Sequence, residues 1–400
     1  MYFSSLKILA MRLNPSLRGP LLPLVSRLSM PVLGKSPKVV TADVAVSNIS
    51  SVFVHGLAST PTELLEALCR RVDRDELKNI RLMHLLLNGH VPVTNKKYIG
   101  EVLRYADYIP IFLSDMPSYF YDNSFPVDVA LMSVSSPDKH GFCTLGVNVD
   151  TAKAALEMAK KVIGLFFFAI IHPTSTRSIG AIPDSTLISM KQHKDLGIHT
   201  EMLGHNVVDL IELGVVNNTK KTVMPGRVVT SFAFGTQKFY EYLHDNSMFH
   251  FDCCGWTNRA EVIRSNSRMT SINSGIEIDI TGQVASDSIG TALYSGFGGQ
   301  TDFVTATPTA YDGLGKSIIA LPSRTSKGQA RITVALTTGA GVVTTRGHTR
   351  YVVTEQGIAS LGGKNVRQRA YELIKIAHPD DREQLEKASF ERLKCMPSPD

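Results

Sequence analysis

The sequence predicts an α/β protein with two domains, each a mostly parallel sheet with flanking helices. The chain has 400 residues, which is more than a domain with a single hydrophobic core usually contains. Short β-branched runs alternate with longer helical patterns, and this order builds a parallel sheet covered by helices. Hydrophobic residues make up 43% of the chain and charged residues 20%, as in ordinary globular proteins.

The first half opens with a strand at 51–56 (SVFVHG) and a helix at 60–72, in which Pro stands early and apolar residues recur at helical spacing. The same patterns predict strands at 80–86, 108–113 and 128–135 and a helix at 151–162. The apolar run 162–171 (VIGLFFFAII) has about half of the roughly 20 residues that span a bilayer, so we predict a buried strand. No membrane insertion is expected.

The second half repeats this alternation after residue 201. Its predicted helices are 206–216, 236–245 and 365–394, and its predicted strands are 227–235, 269–280, 316–323, 339–345 and 350–357. A polar segment with a glycine, QHKDLG at 192–197, marks the boundary. We therefore divide the chain into a presequence (1–35), a first domain (36–193) and a second domain (194–400).

Positive charge is concentrated at the N-terminus. The net charge is +6, and the first acidic residue, Asp43, follows Lys7, Arg12, Arg18, Arg27, Lys35 and Lys38. A stretch rich in Arg, Ser and Leu and free of acids is typical of a mitochondrial transit peptide, with a disordered tail as the alternative. We expect a protein of the mitochondrial matrix. The remaining chain is nearly balanced in charge, so no nucleic-acid partner is expected.

The cysteines indicate neither a disulfide framework nor a zinc site. They are five in number, scattered and without C-x-x-C spacing: Cys69, Cys143, Cys253, Cys254 and Cys395. An odd, scattered set of this kind predicts reduced thiols. No metal is expected.

Two loops and one acidic residue could carry chemistry. The loop 295–303 (SGFGGQTDF) is dense in glycine, which lets a backbone approach a ligand and present N–H groups to an oxyanion; a structural turn is an equal alternative. Arg324 and Lys327 follow a predicted strand, as phosphate-binding cations do, or form a solvated basic loop. Glu201 precedes a predicted helix, and an acid in that position usually stabilises the helix by interacting with the helix dipole.

Several longer segments follow one another through nearly all of the chain after the presequence: VFVHGLASTPTELLEAL, IPIFLSDMPSYF, DVALMSVSSPDKHGFCTLGVNVDTAKAA, KDLGIHTEMLGHNVVDLIELGVV, SGFGGQTDF and GAGVVTTRGHTRYVVTEQGIASL. Together they resemble the acetyl-CoA hydrolase/transferase family, which includes 4-hydroxybutyrate and acetate:succinate CoA-transferases, in its animal mitochondrial type. The chain departs from the family by a shortened segment around 162–180.

The resemblance implies two CoA-transferase-type domains with the active site in the cleft between them. It assigns Glu201 as the catalytic nucleophile. The residues that it implies for the oxyanion and CoA are Gly298, Gly299, Asn273 and Gln300, with Arg324 and Lys327 as candidates for the CoA phosphates. No metal and no cofactor are implied, because coenzyme A is a substrate.

The implied function is CoA transfer between a short acyl-CoA, in first place acetyl-CoA, and a carboxylate such as succinate, through a glutamyl-CoA thioester. This places the enzyme in acetyl-CoA and acetate metabolism. Acetyl-CoA hydrolysis is the alternative, and a non-catalytic CoA-binding variant is a third reading, suggested by the shortened segment. The expected partners are acyl-CoA and short-chain carboxylates, and a homodimer is a candidate assembly.

Peptide mapping of protein from its native source should detect no residues from about the first 30, because a transit peptide is removed after import. Mass spectrometry of the N-terminal peptide makes the measurement. An intact Met1 in protein from mitochondria-free fractions would overturn the predicted location.

Overall fold

The computed structural model describes residues 8–12, 38–47, 49–98, 108–138, 142–166 and 181–400. Most of the predicted presequence and the part of the apolar run beyond residue 166 lie outside these residues. None of the helices in the described ranges is both long and apolar enough to cross a bilayer.

The first half forms one six-stranded sheet with helices. Its elements are β1 (Ile8–Arg12), β2 (Lys38–Val40), α1 (Ala42–Ala45), β3 (Ser51–Val54), α2 (Thr62–Asp73), β4 (Arg81–Met83), α3 (Met116–Tyr121), β5 (Val129–Val134), α4 (Ala152–Met158), β6 (Lys161–Phe166) and α5 (Ala181–Ser189). The strand order is β2-β1-β6-β5-β3-β4. Strands β3 to β6 are mutually parallel, and β1 pairs antiparallel with β6. The predicted strand is therefore confirmed over residues 162–166, and its residues 162–165 are buried.

The sheet is buried on both faces at β5, and the sequence of this strand fits that position. All six of its residues, VALMSV, are buried, and strands covered on both faces are continuous apolar runs rather than alternations. On one face Leu131 packs in a cluster with Leu64 of α2 and Leu165 of β6. On the other, Phe53 of β3 meets Phe120 of α3 edge to face, with ring centroids 5.6 Å apart.

The second half consists of several smaller sheets. Its elements are β7 (Met202–Gly204), α6 (Val207–Glu212), β8 (Val228–Thr230), β9 (Phe232–Phe234), α7 (Gln237–Leu243), β10 (Phe249–Phe251), α8 (Cys254–Thr257), α9 (Ala260–Arg264), β11 (Thr270–Ser274), β12 (Glu277–Asp279), β13 (Val284–Ala285), β14 (Ser288–Ile289), β15 (Ala292–Leu293), α10 (Gln300–Ala306), β16 (Lys316–Ala320), β17 (Ile332–Thr333), β18 (Tyr351–Thr354), β19 (Gly357–Ser360), α11 (Val366–Lys375) and α12 (Pro379–Leu393). The largest sheet has the order β11-β16-β18-β19. Its strands β11, β16 and β18 are parallel.

Several predicted elements differ from the structure. The predicted strands 227–235 and 269–280 are each divided into two strands that join different sheets, β8 and β9 in the first and β11 and β12 in the second. Residues 108–113 form no strand; Leu113 instead donates its N–H to the carbonyl of Gly298, at 3.2 Å. Residues 339–345 form a glycine-containing loop, held by an isolated bridge between Val284 and Thr344. The closing helix is two helices, because Pro379 lacks an N–H and is suited to the first turn of a new helix.

Leu165→Ala should lower the free energy of unfolding by about 2–5 kcal/mol, because truncating a core leucine leaves a cavity. Leu165 is 1% exposed. The control is Leu213→Ala, the same truncation at a residue that is 60% exposed, which should change stability by less than about 0.5 kcal/mol. Denaturant unfolding measures both, and equal small losses would mean that β6 does not belong to the core.

Candidate active site

The backbone of Glu201 is fixed by the two strands that run beside it. Its carbonyl accepts hydrogen bonds from the N–H of Ser231 at 3.0 Å and of Phe232 at 3.2 Å, and from the hydroxyl of Thr230 at 3.0 Å. Glu201 directly precedes strand β7, and α6 begins only at Val207. The interpretation of Glu201 as an acid at a helix N-terminus is therefore wrong.

The Glu201 carboxylate lies against an amide and a glycine backbone. Asn258 Nδ2 donates to Glu201 Oε2 at 2.6 Å, and the backbone of Gly299 also hydrogen-bonds to the carboxylate. A Cβ atom at position 299 would overlap both the Glu201 carboxylate and the Asn258 amide. Gly298 has φ +56, a conformation that favours glycine. Because Gly298 and Gly299 have no side chains, their backbone can lie closer to Glu201 than the backbone of any other residue could.

The glycine loop is covered by a segment from the first half of the chain. Leu113 bonds to the Gly298 carbonyl, and the ring of Phe112 lies 5.7 Å from that of Phe297. Gln300, the first residue of α10, directs its amide to the hydroxyls of Ser286 and Thr344, at 3.0 and 3.2 Å. Both halves of the chain therefore shape the surroundings of Glu201.

Glu201 has an unusual acidity for a glutamate. Burial raises its pKa from 4.5 to about 7, and the nearby carboxylates of Asp302 and Asp150 act in the same direction. The hydrogen bonds from Asn258 and from the Gly299 backbone oppose the shift, because they stabilise the charged form. A carboxylate with a raised pKa and few water contacts is a common feature of functional sites.

The structure brings together some of the residues singled out in the sequence and separates others. Gly298 and Gly299 lie at Glu201, and Gln300 follows them. Asn273 lies in β11 opposite Ile319 of β16, whereas the amide that touches Glu201 belongs to Asn258. Nothing local in the sequence marks Asn258, because it meets Glu201 only through folding, 57 positions along the chain.

The basic loop after β16 has its own structural partners. Arg324 forms a two-pronged pair with Asp381, at 2.9 and 2.6 Å, and also contacts Asp380 at 3.2 Å. These acids belong to the first turn of α12, so Arg324 connects this helix to the loop after β16. Lys327 is exposed in a turn. Phosphate binding by this pair stays a prediction.

In the part of the chain that the structure describes, no three His, Cys, Asp or Glu side chains are grouped so that they could hold a metal ion.

Comparisons with known proteins agree with this arrangement. The profile of the acetyl-CoA hydrolase/transferase C-terminal domain matches residues 235–389, and that of the N-terminal domain matches residues 96–165. The succinyl-CoA:acetate/propanoyl-CoA:succinate CoA transferase of Fasciola hepatica is 42% identical, over 88% of this chain and 86% of that protein. The chain belongs to the acetyl-CoA hydrolase/transferase family.

Two further members of the acetyl-CoA hydrolase/transferase family agree in sequence and in structure. The 4-hydroxybutyrate coenzyme A transferase of Clostridium kluyveri is 37% identical over 87% of this chain and 96% of that protein. The crystal structure of the 4-hydroxybutyrate CoA-transferase of Porphyromonas gingivalis superimposes with a TM-score of 0.75, at 31% identity, covering 88% of this chain and 97% of that one. The family is one of enzymes, and these relatives are named for the transfer of coenzyme A.

Glu201→Gln should stabilise the protein at pH 8 and have little effect at pH 4. Between the ordinary pKa of 4.5 and the folded-state pKa of about 7, the folded protein keeps a proton that the unfolded chain has released. The wild type therefore loses stability as the pH rises through this window. At pH values above this window, the neutral amide of the variant avoids the free-energy cost of burying the charge of Glu201.

Urea unfolding at the two pH values makes the measurement. Glu212→Gln, the same change at an exposed glutamate of α6, is the matched control and should show no such difference. A stability gain at pH 4 equal to that at pH 8 would contradict a raised pKa at Glu201.

Proposed function

We propose that this protein transfers coenzyme A between a short acyl-CoA and a carboxylic acid, with Glu201 as the nucleophile. The observation that carries the proposal is the position of the Glu201 carboxylate, which is held between the Asn258 amide and the Gly299 backbone. A carboxylate flanked by hydrogen-bond donors in a partly enclosed site suits covalent acyl chemistry.

In the first half-reaction, a Glu201 oxygen attacks the thioester carbonyl of the acyl-CoA. The tetrahedral intermediate expels CoA thiolate and leaves a mixed anhydride between the acyl group and Glu201. The thiolate then attacks the carbonyl carbon of Glu201, which releases the original acid as a carboxylate and leaves a glutamyl-CoA thioester.

In the second half-reaction, an incoming carboxylate attacks the glutamyl thioester. The same two steps run in reverse order, so the acceptor leaves as a new acyl-CoA and Glu201 is regenerated as a carboxylate. The free energy of the donor thioester is retained in the thioester of the new acyl-CoA. The reaction as proposed consumes no ATP and takes coenzyme A as its substrate.

The hydrogen-bond donors beside Glu201 have a definite role in this scheme. Each tetrahedral intermediate carries an oxyanion, and the Asn258 amide and the Gly299 N–H are the neighbouring groups suited to stabilise it. Such a donor typically contributes about 3 kcal/mol. The raised pKa of Glu201 also makes its carboxylate more basic than an ordinary glutamate and therefore a stronger nucleophile.

Acetyl-CoA and succinate are the substrates that we propose, in the mitochondrial matrix. The name of the Fasciola relative supports the first part, and the acid-free, basic N-terminal stretch supports the second. Acetyl-CoA hydrolysis is the second candidate, because the family description includes hydrolases. The two activities differ only in whether water or a carboxylate resolves the covalent intermediate. The intact arrangement around Glu201 argues against a purely CoA-binding role.

Glu201→Gln should reduce both acyl exchange and hydrolysis by about 10⁴-fold or more, because an amide cannot form the anhydride. Purified protein is incubated with acetyl-CoA and succinate, acyl-CoA species are separated by chromatography, and free thiol is followed in parallel. Glu212→Gln is the matched control and should retain activity.

Mass spectrometry of wild-type protein incubated with acetyl-CoA alone should find CoA attached to the peptide that contains Glu201, in a form cleaved by hydroxylamine. Steady release of thiol without an added acid would favour the hydrolase. Exchange by Glu201→Gln within tenfold of the wild type would refute Glu201 as the nucleophile.

A further inference from the structure

A second carboxylate lies on the far side of the Asn258 amide from Glu201. Asp302, in the first turn of α10, accepts a hydrogen bond from Asn258 Nδ2 at 3.2 Å. It also accepts the hydroxyl of Ser114 at 2.7 Å and the N–H of Ser114 at 3.2 Å. Asp302 therefore connects a residue of the first half of the chain to the amide that touches Glu201.

The NH2 group of Asn258 is placed between two carboxylates. Its nitrogen lies 2.6 Å from Glu201 Oε2 and 3.2 Å from Asp302 Oδ2, so each of its two hydrogens has an acceptor. Asn258 Oδ1 is buried and finds no hydrogen-bond partner among the described residues. A rotated amide would instead place this oxygen against both carboxylates. Two acceptors thus dictate which end of the amide faces Glu201.

Asp302 matters most when Glu201 carries no negative charge. During turnover Glu201 becomes an anhydride and then a thioester, and its attraction for an amide N–H weakens at those stages. Asp302 takes no part in the covalent steps and keeps its position as an acceptor throughout, because the two donors from Ser114 hold it in place. On the basis of the proposed function, we propose that Asp302 is a positioning residue that keeps the Asn258 NH2 group turned toward Glu201 and the reacting carbonyl.

This role requires that Asp302 act through Asn258. Its other close ionisable neighbour is Asp115, which directly precedes α3 and follows Ser114, and Asp150 is the further carboxylate that acts on Glu201. Neither of these acids is hydrogen-bonded to Asn258 in the part of the chain that the structure describes. Asp302→Ala would remove the acceptor for the second hydrogen of the Asn258 amide, which leaves Glu201 alone to set the amide orientation.

The test is a double-mutant cycle with Asp302→Ala and Asn258→Ala. In the otherwise wild-type enzyme, Asp302→Ala should lower kcat for acyl exchange about 10²-fold, the typical effect of losing one oxyanion donor. KM for acyl-CoA should change less than about threefold, since the contact matters only to the reacting centre. In the Asn258→Ala background, Asp302→Ala should lower kcat less than about twofold further, because the residues act as one unit.

Two further variants complete the experiment. Asp115→Asn removes a neighbouring charge without touching Asn258 and should leave kcat within about twofold. Ser114→Ala removes one donor to Asp302 and should lower kcat to a value between those of the wild type and Asp302→Ala, which keeps the idea testable if Asp302→Ala fails to fold. Equal losses from Asp302→Ala in both backgrounds, or no loss at Ser114 and Asp302, would overturn the proposal.

Crystal structures provide a measurement that does not depend on turnover. At a resolution near 1.2 Å or better, the nitrogen and oxygen of an amide can be told apart. In crystals at about pH 5, below the Glu201 pKa of about 7, Glu201 is neutral; the wild type should then have the Asn258 nitrogen toward Glu201, and Asp302→Ala should have a rotated or mixed amide. An unchanged amide in the variant would refute the role of Asp302. Absence of acyl exchange in the wild type would instead refute the proposed function and leave the amide orientation to be judged from these structures.

Discussion

The hydrogen bond between the Asn258 amide and the Glu201 carboxylate is the interaction on which the rest of the site depends. Glu201 has two acidic neighbours and is partly buried, and each of these disfavours its charged form. The amide and the glycine backbone provide the compensating donors. This balance leaves a carboxylate that is ionised in part at neutral pH and flanked by hydrogen-bond donors, as the proposed nucleophile requires.

The two halves of the chain contribute different parts of this environment. The second half supplies Glu201, Asn258 and the glycine pair on a framework of short strands and turns. The first half supplies Ser114 and the segment before it, which lies over the glycine loop. The site is therefore complete only where the halves meet. The large buried sheet of the first half gives that contact a rigid base, since its central strand is covered on both faces.

The sequence was informative wherever a local pattern decides the structure. The run VALMSV predicts its own strand because a doubly covered strand must be apolar throughout, and the resemblance singled out Glu201 and the glycine pair that the fold brings together. Asn258 and Asp302 escaped notice because their roles arise from contacts between distant parts of the chain. Residues 108–113 have the composition of a strand, but their backbone bonds to a loop instead. The sequence suggested that Arg324 was available to bind a phosphate, but in the fold it pairs with Asp380 and Asp381.

The closeness of Gly299 to Glu201 has a consequence for how such an enzyme can diverge. A side chain at this position would collide with the Glu201 carboxylate and with the Asn258 amide, so only glycine fits there without a shift of these groups. The covering segment is under no such constraint: Tyr108, Ile109 and Phe112 each retain more than a third of their accessible surface. Under the proposed function, this segment is therefore the part of the surroundings in which single substitutions can alter the choice of acid while Glu201, Asn258 and Gly299 keep their geometry.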